Sequence, residues 1–427
     1  MEFGVRCRED HFLFEAGTAM CNHGSYGAIP RKVREKQQSL HLEIERTPDR
    51  WFRETTPRLF QESVSALAEF VGAKKENLMF IQNPTTAVNS VLKSFPFQPG
   101  DAVLVSNLTY GAVRFTAEVI KTYAPGAECV ALEISPPVTS AEQIVQLYRD
   151  TLEKHPNIKL AVIDTITSPT AVAMPVADLV SLCHMKGVQV MLDGAHSPGQ
   201  QELQLEELGA DYYTGTVHKW LFAPRGCAFL WVRSDHHATV RPLVTSWFFQ
   251  KDLQHQFHMQ GTRDDSAYFC SPEAINFHQQ LGGLVSGQHV LHSHSIMEYS
   301  TKLRKDATKL LLEGWKTETL GIPESLQAPY MECIKLPLPQ TPGAESRYPP
   351  TPRGAMSLQY DMYQQHGVQC AVVCMLEALW VRISAFVYNS REDYTRLRDA
   401  VLALMSRQDF PDFPGPYWPY LLVQDTQ

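Results

Sequence analysis

Nowhere does this 427-residue chain approach the roughly 20 consecutive apolar residues of a membrane span, so no transmembrane helix is expected. A basic excess is missing as well. With 38 Lys and Arg against 46 Asp and Glu, the net charge is −8, which argues against a nucleic-acid partner. None of the nine cysteines (Cys7, Cys21, Cys129, Cys183, Cys227, Cys270, Cys333, Cys370 and Cys374) forms a C-x-x-C pair. Scattered thiols, several of them inside apolar runs, read as free and buried in a reducing compartment, which makes the cytoplasm the expected location. The opening MEFGVRCREDHF breaks its apolar positions with charge and shows no signal-peptide core. His255 with His258, or His289, His292 and His294, have loose ligand-like spacing. They lack cysteine or acidic partners at zinc-like intervals, so no metal site is expected.

What the chain does contain is an alternation of short apolar runs with helical periodicity. Strands are predicted at 78–82, 102–106, 128–134, 159–165, 188–192, 212–217 and 227–232. Helices are predicted at 31–46, 57–71, 141–155 and 176–186, with a short acidic helix after Pro198 and another helix at 274–285. Near-continuous Val/Ile/Leu strands alternating with helices imply an α/β fold with a mostly parallel sheet covered on both faces. Ligands of such sheets sit beyond the carboxyl ends of the strands. Beyond a helix at 294–312, a strand at 331–336, paired strands at 368–374 and 379–386, a helix at 357–367 and a closing helix at 392–406 suggest a smaller α+β domain. The prolines between 337 and 352 mark an exposed loop there. The division expected is an irregular segment 1–30 over a pocket, a large domain 31–290 and a small domain 291–427.

Most of the polar clusters of note follow a predicted strand. Asp193 comes just after 188–192, and Lys219 follows 212–217 with His218 beside it. The two are 26 residues apart, room for strand, connection and strand. A lysine that forms an imine with an aldehyde, and a carboxylate that keeps a pyridine nitrogen protonated, are what pyridoxal 5′-phosphate requires. Asn83, Thr85 and Thr86 stand at a strand-to-helix junction, where free N–H groups and hydroxyls bind an anion; simple N-capping by Asn83 or Thr85 is the other reading. Tyr110, at the next such junction, either stacks on a flat ring or packs as an ordinary aromatic. Asn22 and His23 belong to a loop whose Gly24 and Gly27 allow close backbone approach.

Eight motifs then carry a resemblance: NHGSYGAIP, NPTTAVN, TYGAVR, DTITSPTA, LDGAHSPG, GTVHKWLFAPRG, GTRD and VRISAFVYN. In this order, over almost the whole chain, they resemble class V, fold-type I pyridoxal-phosphate enzymes. The group is that of the isopenicillin N epimerase-like, cysteine desulfhydrase-like and hercynylcysteine sulfoxide lyase-like proteins. The resemblance implies that Lys219 is the imine lysine, Asp193 the partner of the ring nitrogen, and Ala195 a floor beneath the ring. It implies that His196 donates to the phenolic oxygen and that Tyr110 stacks above the ring. Thr85, Thr86, Thr216 and His218 would hold the phosphate, and Thr262 the phosphate of a second subunit, which implies a homodimer. Arg382 would clamp the substrate α-carboxylate, with Asn22 and His23 lining the substrate mouth.

The motifs do not separate the outcomes that follow removal of the Cα proton. The resembling cysteine desulfurases carry a nucleophilic cysteine on a loop ahead of the carboxylate arginine. Here the 337–356 stretch has none, while Cys370 and Cys374 lie in a strand-like run and read as buried. A persulfide route is thus disfavoured. The expected activity is a C–S β-eliminating lyase on a cysteine derivative; the alternatives are an amino-acid epimerase or an aminotransferase.

Overall fold

The computed structural model describes residues 2–282, 295–337 and 347–406. Seven apolar runs assemble into one sheet: β1 (Leu78–Ile81), β2 (Ala102–Ser106), β3 (Glu128–Leu132), β4 (Ile158–Asp164), β5 (Gln189–Gly194), β6 (Tyr212–Thr216) and β7 (Ala228–Val232). Their spatial order is β1–β7–β6–β5–β4–β2–β3. Strands β2 to β6 are parallel to their neighbours. Strand β7 runs against both β6 and β1. Six of the seven strands therefore end at the same edge. The central strands are apolar on both faces because helices cover both: Val190, Met191 and Leu192 of β5 are fully buried, each such side chain contributing about 2 kcal/mol of apolar burial.

The helices start and stop where side chains satisfy their ends. Pro84–Ser94 opens with Pro84 in its first turn, where a missing N–H costs nothing, and Asn83 accepts from the Thr86 N–H at 2.9 Å. Thr56–Val71 ends at Gly72 in the left-handed region, φ 62°. A second, antiparallel sheet comprises β8 (Met331–Lys335), β9 (Ala371–Met375) and β10 (Ala378–Ser384), in the order β9–β10–β8. Helices Ile296–Trp315, Pro352–His366 and Arg391–Met405 supply its separate apolar core.

Several elements differ from the sequence expectation. The first 30 residues are not irregular throughout: they hold a helix Val5–His11, a short turn of helix His23–Tyr26, and a pair of residues, Ala19–Met20, bridged in parallel to Val368–Gln369. Arg8 anchors the first of these by donating to Tyr388 O at 3.1 Å and by pairing with Asp393. The helix Arg31–Arg46 breaks at Thr47, φ −152° and ψ 73°, and Pro48 takes a first-turn position in the short helix Pro48–Arg50; the wide turn Trp51–Thr55 then carries the chain into Thr56–Val71. The acidic helix after Pro198 does not form. Glu206 instead caps other elements, accepting from Lys74 N, Asn77 Nδ2 and Trp231 Nε1 at 2.9 to 3.0 Å, while Leu203 and Leu205 turn inward. The helix placed at 357–367 begins within the proline-rich stretch, at Pro352, because Thr351 caps it. The run 368–374 splits: Val368–Gln369 pairs with the N-terminal segment and only Ala371–Met375 with β10. The boundary placed near 290, the histidines 289, 292 and 294, and most of the proline-rich loop lie outside the described residues.

Candidate active site

Parallel register brings the chemistry to one edge. Asp193 is the penultimate residue of β5 and is 3% exposed; its Oδ1 accepts from the Ala195 N–H at 3.0 Å. The chain then turns through His196, whose Nε2 lies 3.2 Å from Lys219 Nζ beyond the end of neighbouring β6. Gln200, wholly buried, fixes this turn by donating to His196 O at 2.8 Å and accepting from Tyr330 N at 3.1 Å. Arg382, on β10, enters from the smaller sheet. Its Nη1 donates to Ser168 O at 2.7 Å and Ser168 Oγ at 3.1 Å; its Nη2 donates to Asn22 Oδ1 at 3.1 Å and Ser25 Oγ at 2.8 Å.

Burial dominates the electrostatics. It lowers Lys219 from the usual 10.5 to about 7, with Arg382 adding to the fall and Asp193 and Asp164 opposing it. It pushes Asp193 up against the opposing pull of the Ala195 N–H and Lys219. Asp164 ends β4 directly beside Asp193 in register. Its carboxyl is raised first by burial and then by the Asp193 charge, with the Thr109 hydroxyl and Tyr110 N–H acting the other way. Burial keeps His196 neutral, reinforced by Lys219 and Arg382. Arg382 is 4% exposed and pairs with no carboxylate among the described residues; its pKa falls to about 10, chiefly by desolvation.

The remaining expected residues fall into two groups. Thr85 and Thr86 open the helix after β1, which packs across β6 and β7. Asn83 does cap that helix and also takes the Thr86 hydroxyl at 3.0 Å. Tyr110 sits at the start of Gly111–Glu118 and is 48% exposed. His218 Nδ1 is bonded to Cys227 O at 2.8 Å, and burial lowers the ring to about 4. Thr216 commits its hydroxyl proton to Ala195 O at 2.6 Å. Thr262 stands apart, exposed on the loop after Leu253–His258, and makes none of these contacts. His23 does not line an open mouth: it is 1% exposed, with Nδ1 at 2.9 Å from Tyr388 Oη and Nε2 at 2.9 Å from Lys219 O. The small cavity bounded by Pro242, Phe248 and Phe249 contains no residue of this cluster.

Five residues of the cluster were not singled out from sequence: Asp164, Ser168, Gln200, Ser25 and Tyr388. Asp164 carried a signal, since it ends its apolar strand as Asp193 ends the next. Nothing local marks Tyr388, which meets His23 across 365 residues of chain.

Among the described residues, His196 Nδ1, Asp164 Oδ2 and Arg382 Nε are buried at this edge without a hydrogen-bond partner. A ligand bringing a protonated ring nitrogen toward the acids and a carboxylate toward the guanidinium supplies complements that the protein does not. Pyridoxal 5′-phosphate with an amino-acid substrate fits this donor set. A mostly parallel sheet with a lysine and an aspartate at its carboxyl edge, joined by a smaller antiparallel sheet, defines a fold-type I pyridoxal-phosphate enzyme. Residues 11–333 match the model of the family Aminotransferase class-V, and the chain belongs to that family. It is 28% identical to L-cysteine desulfhydrase of Arabidopsis thaliana, over 92% of this chain and 89% of that one. It is 26% identical to isopenicillin N epimerase of Amycolatopsis lactamdurans, over 94% and 98%. The solved structure of the cystine C–S lyase C-DES with its reaction product cysteine persulfide superposes with a TM-score of 0.73 at 17% identity, over 91% of this chain and 98% of that one.

Proposed function

We propose that this chain breaks the C–S bond of cysteine or a cysteine derivative by β-elimination, with pyridoxal 5′-phosphate as cofactor. The observation that carries the reading is Arg382, a buried cation with no carboxylate partner among the described residues, set at the same edge as Lys219 and Asp193. The similarity to a desulfhydrase over most of the chain supports the sulfur substrate.

Bound pyridoxal 5′-phosphate supplies an aldehyde for an amine and a ring that takes up the electron pair left at the substrate Cα. Asp193, Ala195, His196 and Tyr110 would hold that ring, and Thr85, Thr86, Thr216 and His218 the phosphate. Lys219, lowered to about 7, has a substantial neutral fraction near neutral pH and takes the Cα proton at Nζ. His196 Nε2 at 3.2 Å orients that amine. Arg382 binds the α-carboxylate and, through Asn22 and Ser168, fixes which Cα bond faces the lysine. Sulfur departs without a protein thiol to receive it: no cysteine lies between 337 and 356. Cys370 is buried against Met362, and Cys374, half-buried rather than enclosed, lies on β9.

The active unit is a homodimer in which Thr262 of a second copy approaches the phosphate. Exposed Leu243, Val244, Trp247 and Phe249 precede that loop and supply apolar surface for such contact. The division 1–30, 31–290 and 291–427 is kept as the functional organisation. The nine free cysteines support a reducing compartment such as the cytoplasm. Purified protein scanned in the visible range, then given L-cysteine, tests the activity. An imine band with release of sulfide and pyruvate supports the lyase. A band with loss of optical rotation and no sulfide would replace it with an epimerase, and a band with aminated cofactor alone would replace it with an aminotransferase.

A further inference from the structure

The turn that carries Lys219 is gripped by its backbone. After β6 the chain reverses sharply, and Phe222 takes a left-handed conformation, φ 65°. Three successive carbonyls of this turn are met by other segments. Gly27, at φ 65°, lies so close to His218 O that a Cβ there would collide with it. A Cβ on Gly199 would fall 2.6 Å from Trp220 O. Between these, His23 Nε2 sits 2.9 Å from Lys219 O.

This contact fixes the histidine's chemistry. A carbonyl oxygen only accepts, so Nε2 carries the proton and Nδ1 is the acceptor. Tyr388 Oη, 2.9 Å from Nδ1, is then the donor. Both side chains are fully buried, and the His23 ring packs on Trp220 and Phe386 with centroids 4.7 and 4.4 Å away. Burial pushes His23 down to about 3, so the ring stays neutral across the working range. Its chain neighbour Asn22 accepts from Arg382. Two consecutive residues thus join the Arg382 side chain to the Lys219 backbone.

We propose that His23 is a positioning residue for Lys219, held in its Nε2–H tautomer by Tyr388 Oη. The inference rests on reading Lys219 as the imine lysine. With the 219–220 peptide plane fixed, the lysine's long side chain starts from one place, and its amine reaches the substrate Cα without searching. A displacement of the order of 1 Å at such a position costs up to about 100-fold in rate.

The test compares His23→Phe, which keeps a packed ring but no donor, with His23→Gln, which restores an N–H, and with Tyr388→Phe. Holoenzyme kinetics are read beside the visible circular dichroism of the bound cofactor, which reports its orientation independently of turnover. His23→Phe is expected to lower kcat about tenfold with KM within about twofold, and to lower the dichroism per unit imine absorbance. His23→Gln is expected to recover kcat to within about threefold of wild type. Should His23→Phe fail to fold, Tyr388→Phe carries the test, with an expected fall of about threefold in kcat and a weakened dichroism. Wild-type kcat and dichroism in the foldable variants, or a glutamine no better than phenylalanine at equal melting temperature, would overturn the proposal. A wild-type protein with no visible band would overturn the Lys219 reading and the proposal with it, a result distinct from a band that the variants leave unchanged.

Discussion

Replacing Arg382 by lysine keeps a positive charge and removes the geometry, which isolates what the guanidinium does. Its two Nη atoms make four hydrogen bonds, to Ser168 O and Oγ, Asn22 and Ser25, at 2.7 to 3.1 Å. One ammonium with three hydrogens cannot keep these four contacts and also offer a further N–H to a carboxylate, as Arg382 Nε, without a partner among the described residues, does. At about 1.5 to 3 kcal/mol for each hydrogen bond to a charged group, losing the equivalent of one to two costs about 3 kcal/mol. That is roughly 150-fold in kcat/KM for L-cysteine. A pH signature follows. Burial takes Arg382 from 12.5 to about 10, and the same desolvation would lower a lysine there below its ordinary value. The cation is required, so the variant loses activity with rising pH at a lower pH than wild type does. The assay is sulfide release from L-cysteine against cysteamine, which lacks the carboxylate. The variant should lose most of the preference for cysteine. A kcat/KM within about fivefold of wild type, with that preference intact, would refute the role given to Arg382.

Asp193→Ala should retain cofactor but lose roughly 100- to 1000-fold in kcat, read by steady-state kinetics; rates near wild type would remove the aspartate from the chemistry. Thr262→Ala should weaken cofactor affinity only under conditions where the protein sediments as a dimer; equal affinity at all concentrations would sever Thr262 from the phosphate. Buried His278 lies against Phe70 and Phe222 and is lowered to about 4 by desolvation. It is neutral when folded and takes a proton when unfolded below about 6.5, so its contribution is present above pH 6.5 and lost as pH falls toward 4, by about 3 kcal/mol at most. His278→Leu should therefore show a shallower acid limb in urea midpoints measured from pH 7 to 4; an unchanged limb would contradict a buried neutral ring.

The parts of the site that were legible in sequence are those that follow from strand ends. Asp193 and Lys219 each trail an apolar run, and a parallel sheet brings such positions to one edge whatever the loops do. Arg382 was readable only as a motif, because its partners Asn22 and Ser168 are 360 and 214 residues away. Local pattern failed where a distant contact decided the structure. Helix Val5–His11 shows a single buried side chain, Cys7, too little periodicity to detect, and is held by Arg8 against Tyr388 and Asp393. Glu206 read as helix-forming, yet three donors from elsewhere fix it in a turn. The family resemblance puts His23 at the substrate mouth; its burial depends on Tyr388, Trp220 and Phe386, which sequence order does not reveal.

The mechanism turns on Lys219 being the amine that carries the cofactor. The direct measurement is borohydride reduction of the purified protein supplied with pyridoxal 5′-phosphate, followed by digestion and mass spectrometry of the peptides. One stably modified residue, Lys219, is expected, and none when substrate is added before the reductant. A cofactor fixed on a different lysine, or no fixation despite supplied pyridoxal 5′-phosphate, would contradict it.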